Sequence, residues 1–332
     1  MPVRNGAIYL REAISSIQHQ TLRQWELIVL DDGSDDDSAG IASGLAAEDE
    51  RIRVVRLARV GVADAFNRGI EEARAPWVAR MDADDVAMPE RLERQLSFLS
   101  RNEDVAGLGT WGWIIGEDGR IAGQSRLGPT SREAFAKQRD RDLIYFQTPT
   151  MMFSREVALA LGGFRREYSP SDDIDFWSRI ADEHIVLALP EPLLKYRIHA
   201  SNYVTREFQQ TIVNLRWARV NMQRRRSGLP EWTFAEFDAY VAGLPRGLKI
   251  RWQLRDWSQF AYRRGGALLA SGHPSGALWL LGSFIYPLEA TRRLKRQAVF
   301  KMLFSKAAST TAISSLKPRA ANQAGESDGS SH

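Results

Sequence analysis

The sequence predicts an α/β fold: a mostly parallel sheet flanked by helices, with a C-terminal helical extension. Three observations carry that prediction. Short apolar strand runs alternate with segments of helical period over the first hundred residues. Two of those strands run directly into acidic clusters, Asp31-Asp32 and Asp82-Ala83-Asp84-Asp85. Beyond His199 the composition shifts to Arg- and Trp-rich stretches with helical periodicity.

Taken in order, Ile8, Leu10, Ala13, Ile14 and Ile17 follow helical spacing within 7–20, and 25–30 is a buried-strand run ending in Asp31-Asp32-Gly33-Ser34. Residues 38–47 read as a helix, 52–57 as a strand, 63–73 as a helix and 77–81 as a strand running into Asp82. In open α/β sheets ligands bind beyond the carboxyl ends of the strands, which is where both acidic clusters fall. A helix over 89–99 has Pro89 in its first turn, and a Gly-rich apolar strand over 105–115 follows. Residues 131–141 read as a helix, 144–153 as extended, and 155–161 as a helix stopped by Gly162-Gly163. The acidic start and apolar face of 172–181 fit a helix N-terminus. Residues 205–306 are helical in period, and the Ser/Ala/Gly-rich stretch 307–332 predicts a disordered tail. The alternation opens on a helix where a parallel sheet normally opens on a strand, so the first strand is expected to be absent. The natural start is then expected about 5–10 residues upstream.

Composition narrows the chemistry. The 332 residues include no cysteine, which excludes disulfides, thiolate-zinc sites, Fe–S clusters and cysteine nucleophiles, and suits a cytoplasmic compartment. A net charge of +4 on 45 basic and 41 acidic residues argues against general nucleic-acid binding. No apolar run approaches the ~18 residues of a membrane span. The longest candidate, 276–286, is closed by Pro287 and reads as a core or interfacial helix.

Each candidate site segment has a bland reading beside a chemical one. Asp82 and Asp84, on a turn after a buried strand, suit an oxygen-loving Mg²⁺ or Mn²⁺ that keeps several waters and takes one or two carboxylates beside substrate phosphates. Alone, the same four residues read as an acidic loop with Asp85 at the turn before the Pro89 helix. Asp31-Asp32-Gly33-Ser34 reads equally as a strand-to-helix turn, Asp172-Asp173-Ile174-Asp175-Phe176-Trp177 as helix capping over a core Trp177, and His199 as a loop histidine.

The conjunction decides between them. Pro2-Val3-Arg4-Asn5-Gly6, Gln20-Thr21, the Asp31 to Ser34 turn, Asn67-Arg68-Gly69-Ile70, Ala79-Arg80-Met81-Asp82-Ala83-Asp84-Asp85, Pro89-Glu90-Arg91-Leu92, Gly162-Gly163-Phe164, Asp172 to Trp177 and Tyr196-Arg197-Ile198-His199 occur in one order. Over residues 2 to about 203 this series closely resembles family 2 glycosyltransferases. The resemblance implies a GT-A fold over 1–204, with a nucleotide-sugar-binding half (1–100) and an acceptor half (101–204), and inversion at the anomeric carbon. It carries Asp31 and Asp32 to the donor base, Asp82 to the ribose side, and Asn67 and Arg80 to the donor site. Asp84, Asp82 and His199 are carried to the Mg²⁺ or Mn²⁺ site, and Asp173 to the general base. Three departures stand out: Asp172 where the family usually has Glu, Phe66 where it often has Arg, and the absent first strand.

In 205–306 basic residues outnumber acidic ones, with Arg224-Arg225-Arg226, Arg263-Arg264 and Arg292-Arg293-Leu294-Lys295-Arg296 interleaved with Trp217, Trp252, Trp257 and Trp279. Such helices suit an anionic membrane surface, and equally a packed appendage with a solvated basic face. The expected partners are a nucleotide-sugar donor, UDP-linked by default, and a glycan or lipid-linked acceptor of cell-surface polysaccharide, met at the inner face of the plasma membrane. A nucleotidyltransferase would also use a parallel sheet and metal-binding aspartates, but no Gly-rich, Lys/Arg-bearing phosphate loop stands near the start. An inactive nucleotide-sugar-binding protein is the remaining alternative.

Overall fold

The computed structural model describes residues 1–199, 207–270 and 273–286. In chain order the strands are β1 (Pro2–Val3), β2 (Leu27–Asp31), β3 (Ile52–Arg56), β4 (Trp77–Ala79), β5 (Val86–Ala87), β6 (Val105–Ile115), β7 (Ile121–Ser125), β8 (Met152–Ser154) and β9 (Ile185–Arg197). The helices of the first two hundred residues are α1 (Ala7–Gln18), α2 (Ser38–Glu48), α3 (Val62–Glu72), α4 (Arg91–Leu99), α5 (Arg132–Arg139), α6 (Arg155–Ala160) and α7 (Asp172–Glu183). They are followed by α8 (Phe208–Arg226), α9 (Phe234–Gly243), α10 (Arg246–Ala270) and α11 (Gly276–Gly282).

A first strand is present, which corrects the expectation of its absence. Pro2 and Val3 run parallel to β2, with Leu30 N donating to Met1 O at 2.8 Å and Asp32 N to Val3 O at 2.9 Å. Two residues are too few to leave a period in the sequence, so only the pairing reveals the strand.

β1, β2 and β3 form a parallel sheet with β2 at its centre and all five residues of β2 buried. Helices cover both faces. Leu10, Ala13 and Ile14 of α1 and Ala42 and Leu45 of α2 pack with Val29 in one core. On the opposite face α3 lies so close to β2 that a Cβ at Gly69 would sit 2.8 Å from Leu30 Cδ1.

A second sheet runs β4-β8-β6-β9-β5, with β7 paired to β6. It is antiparallel except for the β6–β9 pair. β4, expected to extend the parallel sheet, pairs antiparallel with β8 instead. The thirteen-residue β9, and β5 and β7, went unanticipated, whereas the extended run 144–153 yields only a 3₁₀ turn (Thr148–Thr150) leading into β8. β9 contains Pro190 and Pro192, which argue against a long inner strand. Register shifts on either side of the Trp111–Pro192 pair accommodate them.

Two long-range ties explain motifs that sequence alone leaves unconnected. Buried Gln20 donates to Met88 O at 2.7 Å and accepts from Leu92 N at 3.0 Å, joining the end of α1 to the start of α4. Arg225 donates to Asp182 Oδ2 at 2.8 Å and to Glu231 Oε1 at 2.6 Å, and Arg226 to Asp182 Oδ1 at 2.7 Å. Within the Arg224-Arg225-Arg226 run, Arg225 and Arg226 therefore clamp α8 on α7, while Arg224 donates to Pro230 O at 2.6 Å. Trp217 of α8 stacks on Tyr168 with ring centroids 4.0 Å apart and, with Met222, enters the main core. Truncating it to Ala should cost roughly 3–5 kcal/mol. The run 292–296 and the tail 307–332 lie outside the described residues.

Candidate active site

The first acidic cluster closes β2. Asp31 Oδ1 accepts from Ser34 N at 3.1 Å. Asp32 spends both oxygens on one turn, accepting from Val60 N at 2.6 Å and Gly61 N at 2.9 Å. Gly61 adopts φ +93°, which a residue with a Cβ rarely holds, so it makes this turn available to Asp32. On the other side Asn5 Oδ1 accepts from Asp35 N at 2.8 Å, and Gly6 N donates to Ser38 Oγ at 2.9 Å. Both acids thus sit where three segments distant in sequence meet.

The second cluster follows β4 and is tied to β9. Arg80 is largely covered, its side chain 11% exposed, with its guanidinium 4.0 Å above the Phe66 ring, and its Nε donates to Asp82 Oδ1 at 3.1 Å. Phe66, the departure from the family pattern, thereby supplies a platform for Arg80. Burial opposes the charge on Arg80, but Asp82 and then Asp173 more than offset it, so the guanidinium is held above its ordinary value. Its Nη1 is buried and donates to nothing. An unsatisfied buried donor costs roughly 1–3 kcal/mol and calls for a ligand or another explanation.

Asp84 Oδ2 lies 2.8 Å from His199 Nε2, and Arg197 Nε donates to Asp84 O at 2.9 Å. Asp82 is turned toward Arg80 instead, and among the described residues no three His, Asp or Glu groups converge as a metal cluster. Of the three residues expected at the metal, Asp84 and His199 stand together, and Asp82 faces Arg80. Asp85 does not cap the next helix: its Oδ1 accepts from Arg197 N at 2.9 Å, and its Oδ2 is buried without a partner. Burial, with Asp84 and Asp82 adding to it, pushes the Asp85 carboxyl well above the usual carboxylate range. Arg197 also reaches Glu12 Oε2 at 2.6 Å, so it locks α1, the 82–85 turn and β9 together.

The third element is α7. Asp173 is half-buried in its first turn, accepting from Ile174 N at 2.7 Å and from Thr148 Oγ1 at 2.5 Å. Three carboxylates in that first turn interact favourably with the positive end of the helix dipole. Beside it, burial first and then Asp173, against the pull of Arg80, push Asp172 up to about 7. A carboxyl whose value is raised on folding stabilises the fold while protonated. That contribution is complete below the unfolded value near 4 and is lost as pH rises through about 7. Asp172→Asn should therefore raise the Tm more at pH 8 than at pH 5 in parallel thermal melts; an equal change at both would contradict this environment for Asp172.

Asn67, expected at the donor site, is engaged with a neighbouring loop. Its Nδ2 donates to Phe164 O at 2.8 Å and its Oδ1 accepts from Phe164 N at 2.7 Å, so both ends of the amide hold the 162–164 loop. Gly163, at φ +68°, brings that loop so near that a Cβ would lie 2.2 Å from Asn67 Oδ1. Sequence reasoning overlooked Thr148, gave Asp85 only a place in the turn and gave Arg197 no role of its own. The partners of Thr148 and Asp85 are 25 and 112 residues away, so their contacts leave no local signal.

Comparison with known proteins agrees with this architecture. The family profile described as Glycosyl transferase family 2 matches residues 1–162. The O-antigen biosynthesis glycosyltransferase WbnJ of Escherichia coli is 30% identical over 235 residues, covering 64% of this chain and 90% of WbnJ. A Haemophilus influenzae protein described as an uncharacterized glycosyltransferase is 30% identical over 208 residues, which span 59% of this chain and 64% of that protein's length. Among solved structures, Staphylococcus aureus TarS with UDP-GlcNAc aligns over 93% of this chain and 90% of its own at a TM-score of 0.54 and 16% identity. The mannosyltransferase PcManGT of Pyrobaculum calidifontis, with GDP-Man and Mn²⁺, aligns over 88% of this chain and 85% of its own at 0.52 and 17%. The two structural likenesses carry the fold, and the sequence matches carry the family; neither favours a nucleotidyltransferase. The chain belongs to glycosyltransferase family 2.

Proposed function

We propose that this chain is an inverting, metal-dependent glycosyltransferase that moves a sugar from a nucleotide-diphosphate donor to a hydroxyl of a glycan or lipid-linked acceptor in cell-surface polysaccharide synthesis. The observation that carries the reading is Arg80. It is a largely covered cation with one N–H left unsatisfied, set between Asp82 on the donor side and the Asp172-Asp173 start of α7. A departing diphosphate oxygen is the ligand such a donor wants.

In this reading Asp31 and Asp32 shape the wall against the donor base, and Asp82 faces the ribose. Asn67 holds the 162–164 loop beside the donor site. Asp84 and His199 hold the metal. A carboxylate and an imidazole offered side by side would fit Mn²⁺ better than Mg²⁺, which prefers oxygen ligands alone. When bound, the ion supplies Lewis-acid stabilisation of the diphosphate charge. Asp173 removes the acceptor proton as the acceptor oxygen bonds to the anomeric carbon; the bond from that carbon to the diphosphate breaks, and its electron pair leaves with the diphosphate. Thr148 keeps the Asp173 carboxylate aimed.

Residues 1–100 form the donor half and 101–204 the acceptor half, with 205–306 as the extension and the cytoplasmic face of the plasma membrane as the place of work. UDP-sugars come first as donor candidates, supported by the UDP-GlcNAc bound to TarS, and GDP-mannose follows from PcManGT. The O-antigen role in WbnJ's name supports a surface-glycan pathway.

The test is a nucleotide-sugar panel read by thermal shift with and without Mn²⁺, followed by turnover of whatever binds. At a hundredfold excess over its Kd, a true donor adds roughly 2.7 kcal/mol of stability. Absence of both shift and turnover across UDP-, GDP-, CMP- and dTDP-sugars would rule the proposal out.

A further inference from the structure

The α10 and α11 helices pack as an antiparallel hairpin. Buried Ser258 Oγ donates to Ser283 O at 2.5 Å, and Arg251 Nε to the Tyr286 hydroxyl at 3.0 Å. The backbones meet at two glycines: a Cβ on Gly265 would lie 2.8 Å from Gly276 O, and one on Gly276 would lie 2.5 Å from Gly265 O. This contact consumes one face of each helix.

An adjoining flank stays apolar and uncovered among the described residues. On α10, Ile250, Leu254 and Trp257 recur at i, i+4 and i+7, so they form one stripe, and all three are exposed. Leu278 and Leu281 of α11 are 71% and 67% exposed, and Ile285 continues their line. The Trp257 ring links the two stripes, lying against Gly282 and 6.4 Å from the Trp279 ring. Seven of the fifteen exposed large hydrophobics among the described residues fall in 250–285, which makes this a patch and not ordinary scatter.

The charge around the patch selects its occupant. Residues 244–286 carry Arg246, Lys249, Arg251, Arg255, Arg263 and Arg264 against a single acid, Asp256. A second copy of the chain, paired face to face, would bring two such basic surfaces together. The chain's own continuation, 287–306, is equally basic, with six Lys or Arg against Glu289, so it is repelled in the same way. An anionic bilayer satisfies both features, taking Trp and Leu at headgroup depth and the cations at its phosphates. Neither helix is long and apolar enough to cross a membrane.

We propose that the Ile250–Leu254–Trp257 and Leu278–Leu281–Ile285 flank of this hairpin docks in the plane of an anionic lipid surface. The inference is independent of the active-site reading, and its readout needs no donor. The full chain is floated with vesicles of phosphatidylcholine alone or mixed with phosphatidylglycerol, at low and high salt, beside the variants Leu278→Ser/Leu281→Ser and Leu229→Ser. Leu229 is also exposed but lies outside the hairpin, so its variant controls for loss of any surface leucine. Flotation is expected only with the anionic vesicles, weakening with salt, falling on the order of tenfold or more in the double variant and unchanged in the control. A melting temperature for the double variant within the range of the control shows that the loss is not unfolding. Failure of the wild type to float at low salt, full flotation of the double variant, or a dimer in solution that L278S/L281S dissociates would each overturn the proposal.

Discussion

Asp173→Asn is expected to lower turnover by about 10²–10⁴-fold while leaving donor affinity nearly unchanged. The substitution keeps the shape of the side chain and its contact with Thr148, but removes the group that accepts the acceptor's proton. Because the interaction is needed only as the acceptor oxygen attacks, the loss should appear in kcat and not in donor binding. Thermal shift with the donor and single-turnover transfer separate the two. Equal loss of donor affinity would assign Asp173 to the donor site instead. Thr148→Val probes the same group one step removed. Thr148 donates to Asp173 Oδ2 at 2.5 Å, so its loss should leave the base in place but less well oriented, giving a smaller fall in kcat that Thr148→Ser restores.

Asp84→Asn should lose donor binding and turnover together, by roughly 10²-fold or more, and should no longer respond to Mn²⁺. Asp84 and His199 stand 2.8 Å apart and are the pair proposed to hold the ion, so weakening one should remove the metal along with the diphosphate. Chelation of the wild type with EDTA should reproduce the defect, and added Mn²⁺ should reverse it in the wild type alone. A variant that still binds its donor with Mn²⁺ dependence intact would move the metal to other residues. Asp82→Asn makes a useful contrast: its carboxylate faces Arg80, so it should weaken the donor site through that guanidinium while keeping the metal response.

The sequence alone determined the α/β class, the order of helices and strands from α1 to α4 apart from the two-residue β5, and the acidic strand ends, because each rests on local periodicity or on strand-end position. Asp31 and Asp32 at the end of β2, and Asp82 beyond β4, are legible because the apolar strand pattern ends at them. Tertiary structure alone decided matters that depend on partners far along the chain. Pro2–Val3 became a strand only by hydrogen-bonding to β2, and β9 tolerates two prolines only because its pairing with β6 shifts register around them. Asp85 and Arg197 meet across 112 residues, Asn67 and Phe164 across 97, and no pattern along a one-dimensional string encodes such meetings. The same reason governs the extension: Arg225 and Arg226 look like part of a solvated cationic run until Asp182 and Glu231 are folded against them. The apolar flank of α10 and α11 emerges as a surface only when their glycines bring the two helices together.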